Sequence, residues 1–272
     1  METINKITTS KQTTMYDHLC KMIIGNEEVL SRIIKAAVDE AKHLSIEEIR
    51  RLIEGVHIGN RIVNPHFHLV DKEGFIKDEG MVYYDILCYI DVPQEDGKNI
   101  RVYLNVEIQN NPYPGYSIIT RGYAYVSRIV SEQWGSEYDD KNYDGMKKVY
   151  SLWIMPKAPK RKDGYMNVYE TNERIICGTT VEEKEIYDKG VILAIYLNKE
   201  HDELLTPLMV LLNNVLDYKG KQRIIEEYGL NTKKIESEVK DMCDLGESIV
   251  LEARNEGKQI ERKEKNIAHV KK

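Results

Sequence analysis

Two neighbouring segments in which apolar and polar residues alternate constrain the fold of this chain more than any other feature. Apolar or aromatic side chains occupy every second position in residues 82–91, and again in residues 100–109. This period places successive side chains on opposite faces of a strand. The two segments are separated by a short polar turn that contains Asp96-Gly97, a dipeptide typical of β-hairpins. The sequence therefore predicts two antiparallel strands, adjacent in one sheet.

The segments around this hairpin alternate between helical and strand patterns. Helices are predicted at residues 16–24, from Asn26 to Val38, from Ser45 to about Gly55, and at residues 117–134, and strands at residues 149–155, 165–176 and 191–197. From residue 201 onward the composition is helical. The layout predicts an α/β or α+β core with a helical C-terminal extension.

Composition divides the chain into four regions. Residues 1–14 form a polar leader, residues 15–200 the core, residues 201–253 a helical C-terminal region, and residues 254–272 a charged tail. A chain of 272 residues is long enough for one sizeable core with a small satellite domain.

Cysteine spacing and hydropathy indicate the cellular compartment of the protein. No apolar run approaches the roughly 18 residues that a membrane-spanning helix needs. The four cysteines are Cys20, Cys88, Cys177 and Cys243, and their wide spacing fits neither a disulfide scaffold nor a structural zinc site. We therefore expect reduced thiols, a cytoplasmic location and no membrane partner.

The net charge of −6 at first argues against a nucleic-acid partner, because phosphates attract clustered lysine and arginine. The charge is unevenly distributed, however. Residues 200–253 carry 6 basic and 12 acidic groups, whereas residues 254–272 carry 7 basic and 3 acidic groups. Residues 157–162 add four basic groups. The total charge therefore does not exclude DNA as a partner.

Two carboxylates lie inside the predicted hairpin strands. Asp85 stands in an apolar and aromatic segment, and Glu107 stands on one face of the next strand, two residues before Gln109. Carboxylates in core strands are costly to bury unless they are paired or bound to metal. If the register brings them together, they offer the oxygen ligands that Mg²⁺ prefers. The alternative is an exposed position or a structural ion pair, for example with Arg101.

The spacing and flanking segments of these acids resemble a known family. Asp85, 21 intervening residues and Glu107-Ile108-Gln109 resemble the PD-(D/E)XK nuclease signature, with Gln in place of Lys and Tyr84 in place of Pro. More specifically, the chain is similar to the PD-(D/E)XK nuclease family transposases, which are related to the recombination-promoting nucleases. The similar segments are Val102–Gln109, Pro114–Ser127, Lys147–Ile154 and Met242–Leu245. The resemblance extends from about residue 16 to residue 257.

The resemblance implies a restriction-endonuclease-like core, in which helices flank a mixed β-sheet. It also implies Mg²⁺-dependent DNA cleavage, with Mn²⁺ as a substitute, linked to a mobile element or to DNA recombination. Asp85 and Glu107 would be the metal ligands, and Gln109 would orient the attacking water or contact the scissile phosphate. Glu28 and Glu40 are alternative candidates for a further acidic ligand from the first helix. Gln109 carries no charge, so it would act through hydrogen bonds alone.

The helix after the hairpin offers a second candidate group. Arg121, Tyr125, Arg128 and Glu132 are spaced so that they share one helical face. Arg121-x-x-x-Tyr125 resembles the QxxxY element of related nucleases, which implies that Arg121, Tyr125 and Arg128 contact DNA phosphates. Arginine suits that role because its planar fork binds two phosphate oxygens. The alternative is the solvated side of an amphipathic helix.

Two other classes of function stay open from the sequence. One is a catalytically inactive nuclease fold that binds DNA or protein, and the other is a structural or assembly factor. The sequence also leaves open the oligomeric state, a homodimer included, the preferred DNA structure, the number of metal ions, and whether the protein performs strand transfer. Because the basic groups are few and local, we expect weak, strongly Mg²⁺-dependent affinity for DNA.

Overall fold

A computed structural model describes residues 14–63, 82–95, 97–197, 205–212, 217–230 and 233–245, with residues 251, 254, 255 and 258. The predicted leader and most of the predicted charged tail lie outside the described residues. The chain divides into two compact units, one formed by residues 24–209 and the other by residues 1–23 together with residues 210–272.

Helices and strands alternate along the described chain. The elements are α1 (residues 14–24), α2 (Glu27–Ala37), α3 (Ile46–Leu52), β1 (Ile53–Val63), β2 (Val82–Pro93), β3 (Asn99–Ile108), α4 (Ile118–Glu132), β4 (Lys148–Met155), β5 (Met166–Tyr169), α5 (Lys184–Tyr187), β6 (Gly190–Tyr196), α6 (Thr206–Leu212), α7 (Tyr218–Glu227) and α8 (residues 233–245).

The predicted hairpin is confirmed. Strands β2 and β3 pair antiparallel from Pro93 opposite Asn99 to Ile86 opposite Val106. Gly97 in the turn has φ 80°, a left-handed conformation that glycine adopts without the steric cost borne by other residues. The turn sequence therefore sets the register of the two strands that carry the candidate acids.

The described strands form one six-stranded mixed sheet, which confirms an α/β fold. Their order is β1-β2-β3-β4-β6-β5. Strands β3, β4 and β6 run parallel, and the remaining neighbours pair antiparallel. The carboxyl ends of β3, β4 and β6 consequently lie at the same edge of the sheet. The amino end of β2 lies at that edge too.

Strand β1 is absent from the sequence-based prediction, which extends a helix to about Gly55. The helix ends at Leu52 and the strand begins at once, with two register shifts that disrupt the alternation of side chains. Gly55 has φ 61°, and a Cβ there would lie 2.8 Å from Cε1 of Tyr89. The predicted strand at residues 165–176 is also too long, since β5 ends at Tyr169.

Helix α4 packs closely on one face of the sheet. A Cβ at Gly122 would lie 2.8 Å from Cγ2 of Ile192 on β6 and 3.1 Å from Nε1 of Trp153 on β4. On the opposite face, the segment after α2 contacts β4, where the Tyr150 hydroxyl donates to Oε2 of Glu40 at 2.7 Å. Both faces of the central strands are therefore covered.

The described residues of the smaller unit lie mostly in helices. The Tyr16 hydroxyl in α1 donates to the carbonyl of Leu212 at 2.7 Å. Lys221 in α7 is fully buried, and its Nζ donates to the carbonyl of Leu211 at 2.8 Å. Burial lowers the pKa of this lysine, because removal from water disfavours the charged form. Within the described residues, no helix is both long and apolar enough to cross a membrane.

The pair of Asp91 and Arg101 should make stability depend on acid pH. Arg101 donates from Nε to Oδ1 of Asp91 at 2.8 Å and from Nη2 to Oδ2 at 2.7 Å. These hydrogen bonds lower the pKa of Asp91 below its ordinary value of 3.8. Because the folded-state pKa is the lower one, the stabilisation is present at neutral pH. This stabilisation is lost as the pH falls from about 4, the unfolded-state pKa, through the lower folded-state pKa of Asp91.

We therefore expect Asp91→Asn to be less stable than the wild type by about 1–2 kcal/mol at pH 7. The difference should shrink as the pH falls through the lowered pKa of Asp91, because the wild-type carboxyl then becomes protonated as well. Urea unfolding of both proteins at several pH values measures this. A difference that does not shrink at any acid pH at which both proteins still fold would contradict it.

Candidate active site

The two candidate acids meet where strands β2 and β3 separate. The regular pairing ends at Ile86 opposite Val106, and one step further the register places Asp85 opposite Glu107. At this position the side-chain carboxylates, instead of backbone carbonyls, accept hydrogen bonds from the opposite strand. The Asp85 N–H donates to Oε1 of Glu107 at 3.1 Å, and the Ile108 N–H donates to Oδ2 of Asp85 at 2.9 Å. Each carboxylate is thus held by a backbone N–H of the opposite strand.

This pair has the properties of a site for a cation. Glu107 is only 4% exposed and Asp85 is half-buried, so water screens the repulsion between their charges poorly. A cation bound between them would offset that repulsion. Arg101, the alternative ion-pair partner, binds Asp91 and Glu137.

The composition of the pair also limits which metal it suits. In the described part of the chain, no group of three or more His, Cys, Asp or Glu side chains is placed to hold a metal ion. Two carboxylates would suit an ion that takes its remaining oxygens from water or substrate, as Mg²⁺ does.

Arg121 in the first turn of α4 is fixed beside the acid pair by aromatic residues. Its Nη1 donates to the Tyr116 hydroxyl at 2.7 Å and its Nη2 to the Tyr125 hydroxyl at 2.6 Å. The guanidinium also lies 5.1 Å from the ring centroid of Trp153. Burial opposes its charge, but the bond to Tyr125, together with the charges of neighbouring groups including Glu107, raises its pKa overall. Arg121 is therefore a cation held within electrostatic reach of Glu107.

Tyr125 connects this cation to the acids. Its buried ring packs edge-on against Tyr84, with centroids 5.3 Å apart, and against Trp153 at 5.2 Å. Burial and then the negative charge of Glu107 raise the pKa of Tyr125, with a smaller contribution from Asp85. The hydroxyl therefore stays protonated at neutral pH and within electrostatic reach of both carboxylates.

Arg128 and Glu132 lie further along the same side of α4. Burial and the charge of Glu132 raise the pKa of Tyr84, and the charge of Arg128 opposes that shift. Both charged groups thus act on the Tyr84 hydroxyl. That hydroxyl is buried without a hydrogen-bond partner among the described residues. The helical face predicted from spacing is directed toward this part of the sheet, with Tyr125 buried and Arg121 and Arg128 half-buried.

Gln109 follows the last residue of β3. Its N–H donates to the carbonyl of Ile154 at 2.8 Å, which continues the alignment with β4. Its side-chain Nε2 donates to the carbonyl of Asn111 at 2.6 Å, so the amide nitrogen is turned toward the following loop. Rotation of that amide would be needed before its nitrogen could donate toward the acid pair.

The two upstream candidate ligands have partners elsewhere. Glu28 at the start of α2 forms an ion pair with Arg50. Glu40 forms an ion pair with Lys148 at 3.0 Å and accepts the hydrogen bond from Tyr150. These contacts place Glu40 near the amino end of β4, whereas the acid pair lies near its carboxyl end.

Sequence reasoning did not single out Tyr116 or Trp153. Trp153 lies in register with Glu107 across the parallel strands β3 and β4. The local sequence around Trp153 predicts only a strand, because its neighbours in the site come from distant segments. Tyr116 lies in a Pro- and Gly-containing turn, a context typical of any surface loop.

The fold and the site define a mixed α/β protein in which a carboxylate pair, an arginine and an aromatic cluster meet at one edge of the sheet. Comparisons with family models, with curated proteins and with solved structures find no match to this chain.

Proposed function

We propose that this protein is a Mg²⁺-dependent DNA endonuclease of the PD-(D/E)XK type. The observation that carries the proposal is that two carboxylates meet at the open end of the β2–β3 hairpin, where Glu107 accepts from the Asp85 N–H and Asp85 accepts from the Ile108 N–H. The interpretation of the mixed sheet as a restriction-endonuclease-like core is part of the same proposal. A link to a mobile element or to DNA recombination rests on the sequence resemblance alone.

Asp85 and Glu107 would hold the metal ion, Mg²⁺ or its substitute Mn²⁺, through carboxylate oxygens. Such an ion lowers the pKa of water and offsets negative charge on a phosphodiester during hydrolysis. Both carboxylates are positioned by backbone N–H groups, so little side-chain freedom is lost when they bind. Gln109 would orient the attacking water after its amide leaves the Asn111 carbonyl.

Arg121 would supply the positive charge that Gln109 lacks. Two of its five N–H donors are used by Tyr116 and Tyr125, and this fixes the plane of the guanidinium. The remaining donors suit the oxygens of a phosphate group next to the acid pair. Tyr125 and Arg128, on the same helical side, would support the phosphate contacts.

One observation favours the second candidate function, a nuclease fold that binds DNA or protein without cleaving it. The side chain of Gln109 is already occupied by the Asn111 carbonyl at 2.6 Å. If this bond persists when DNA binds, one N–H of the Gln109 amide stays on the Asn111 carbonyl, and fewer of its groups are left to orient water. The experiment below distinguishes the two functions.

Purified protein should nick supercoiled plasmid in Mg²⁺ and lose that activity in EDTA, because the carboxylate pair acts only through a bound cation. Added Mn²⁺ should restore nicking. Agarose gels measure the conversion, and filter binding with and without chelator measures DNA affinity, which we expect to be weak and Mg²⁺-dependent. DNA binding without nicking in either metal would contradict the nuclease function and support the binding module.

A further inference from the structure

Exposed tyrosines lie on the loop that directly follows the candidate active-site strand. Tyr113 is 74% exposed and Tyr116 is 53% exposed, both between Gln109 and the start of α4. Large aromatic side chains left in solvent next to a polar site are typical of ligand-binding surfaces. This loop therefore offers two ring faces beside the carboxylate pair.

The ring of Tyr116 is held next to a phosphate-binding group. Its hydroxyl accepts a hydrogen bond from Arg121, whose guanidinium lies 5.7 Å from the ring centroid. The ring and the guanidinium are thus neighbours with a fixed separation. Any nucleotide carries two groups that match this ring and this guanidinium: a flat base and a charged phosphate.

A basic loop faces the same edge of the sheet. It follows β4 and contains the four basic groups of residues 157–162. Nζ of Lys162 donates to the hydroxyl of Tyr196, at the end of β6, at 2.9 Å. That hydrogen bond raises the pKa of Lys162, and the hydroxyl of Tyr113 adds a smaller contribution in the same direction. The basic loop and the tyrosine loop therefore lie within electrostatic reach of each other.

Exposed tyrosine rings beside cationic groups favour single-stranded over duplex DNA. In a duplex the faces of the bases are covered by stacking on their neighbours, so an aromatic ring cannot reach them. In a single strand each base face is accessible, and base–aromatic stacking together with a cationic groove is the usual mode of binding.

We infer that this site prefers single-stranded over duplex DNA as its substrate, with bases stacked on Tyr113 and Tyr116 and the backbone passing between Arg121 and the basic loop. This inference rests on the proposed function, since it names the substrate of the same site. Binding in the absence of cleavage tests it independently of catalysis.

The test uses a fluorescent 20-nucleotide DNA strand of mixed sequence, its duplex and an RNA strand of the same sequence, in Ca²⁺, an oxygen-seeking ion of the same charge. Fluorescence anisotropy should show the DNA strand bound at least about tenfold more tightly than the duplex. The double variant Tyr113→Ala/Tyr116→Ala should lose about 10- to 100-fold in affinity for the strand. Its affinity for the duplex should not change.

Two further variants separate stacking from a change in fold. The double variant Tyr113→Phe/Tyr116→Phe keeps both rings and should bind the strand within about threefold of the wild type, because stacking needs only the ring. Tyr123→Ala removes a tyrosine that is 52% exposed on the opposite side of α4, and it should leave binding unchanged.

Equal affinity for strand and duplex, or full affinity in the double alanine variant, would overturn this inference. Mg²⁺-dependent plasmid nicking would still support the nuclease function in that case. RNA bound more than about tenfold tighter than DNA would overturn the assignment to DNA. Failure to cleave either plasmid or the DNA strand in Mg²⁺, with tyrosine-dependent strand binding intact, would instead remove the nuclease function and leave the single-strand site.

Discussion

Glu107→Gln should reduce Mg²⁺-dependent plasmid nicking by more than about 100-fold. Loss of a residue that only supports a metal ligand usually lowers activity by about 10- to 100-fold, and loss of a ligand itself should cost more. The substitution keeps an oxygen that can accept the hydrogen bond from the Asp85 N–H, so the strand ends should stay in place. What it removes is one of the two charges that would bind the cation. Initial rates from agarose gels measure the effect.

Asp85→Asn should behave in the same way, because its side-chain oxygen can still accept from the Ile108 N–H. The double variant should be no worse than either single one, since the two carboxylates act as a unit. Mg²⁺ should raise the melting temperature of the wild type and leave that of each variant unchanged, because only the intact pair binds the ion.

The matched control for both variants is Glu54→Gln. Glu54 is a carboxylate on β1 of the same sheet, and it accepts a hydrogen bond from the Tyr89 hydroxyl at 2.9 Å. Its substitution should leave both nicking and the Mg²⁺-dependent thermal shift at wild-type values. Equal nicking by the wild type and by the Asp85 and Glu107 variants would show that this pair is not the active site.

Trp153→Ala should lower the free energy of unfolding by about 3–5 kcal/mol. Trp153 is 1% exposed and packs beneath α4 against Tyr125, with ring centroids 5.2 Å apart. Its Nε1 donates to the Ser151 hydroxyl at 3.0 Å. The alanine variant therefore loses the buried ring, leaves a cavity between the helix and the sheet, and removes a hydrogen bond.

Urea unfolding measures that loss, and two variants calibrate it. Trp153→Phe keeps most of the buried ring and should be intermediate in stability. Trp134→Ala removes the other tryptophan, which is half-buried after α4 against Tyr138, and should cost less than about 2 kcal/mol because less surface returns to water. Equal losses for the two alanine variants would contradict the central place of Trp153 in the core.

The hairpin that carries the candidate acids could be predicted because its information is local. Alternation identifies β2 and β3, and the Asp96-Gly97 turn joins them. The helical face of α4 followed in the same way from the spacing of Arg121 and Tyr125. These predictions depend only on residues a few positions apart.

Strand β1 and the burial of β3 could not be predicted in that way. Two register shifts and the left-handed Gly55 break the alternation in β1. In β3, alternation predicts one buried and one polar face, yet Glu107 lies in the interior. Helix α4 covers that face, and the alternation of residues in β3 does not predict this coverage.

The sequence by itself determined local elements of this protein: the hairpin, several of the helices, and the positions of two carboxylates and an arginine along them. The tertiary structure decided that the Glu107 carboxylate accepts from the Asp85 N–H and the Asp85 carboxylate from the Ile108 N–H, and that Arg121, Tyr116 and Trp153 gather in the same site. Parallel pairing of β3 with β4 joins residues 46 positions apart, from Val102 opposite Lys148 to Ile108 opposite Ile154. Such long-range packing leaves no periodic trace in the local sequence, because it is set by the surfaces that distant elements bury against each other.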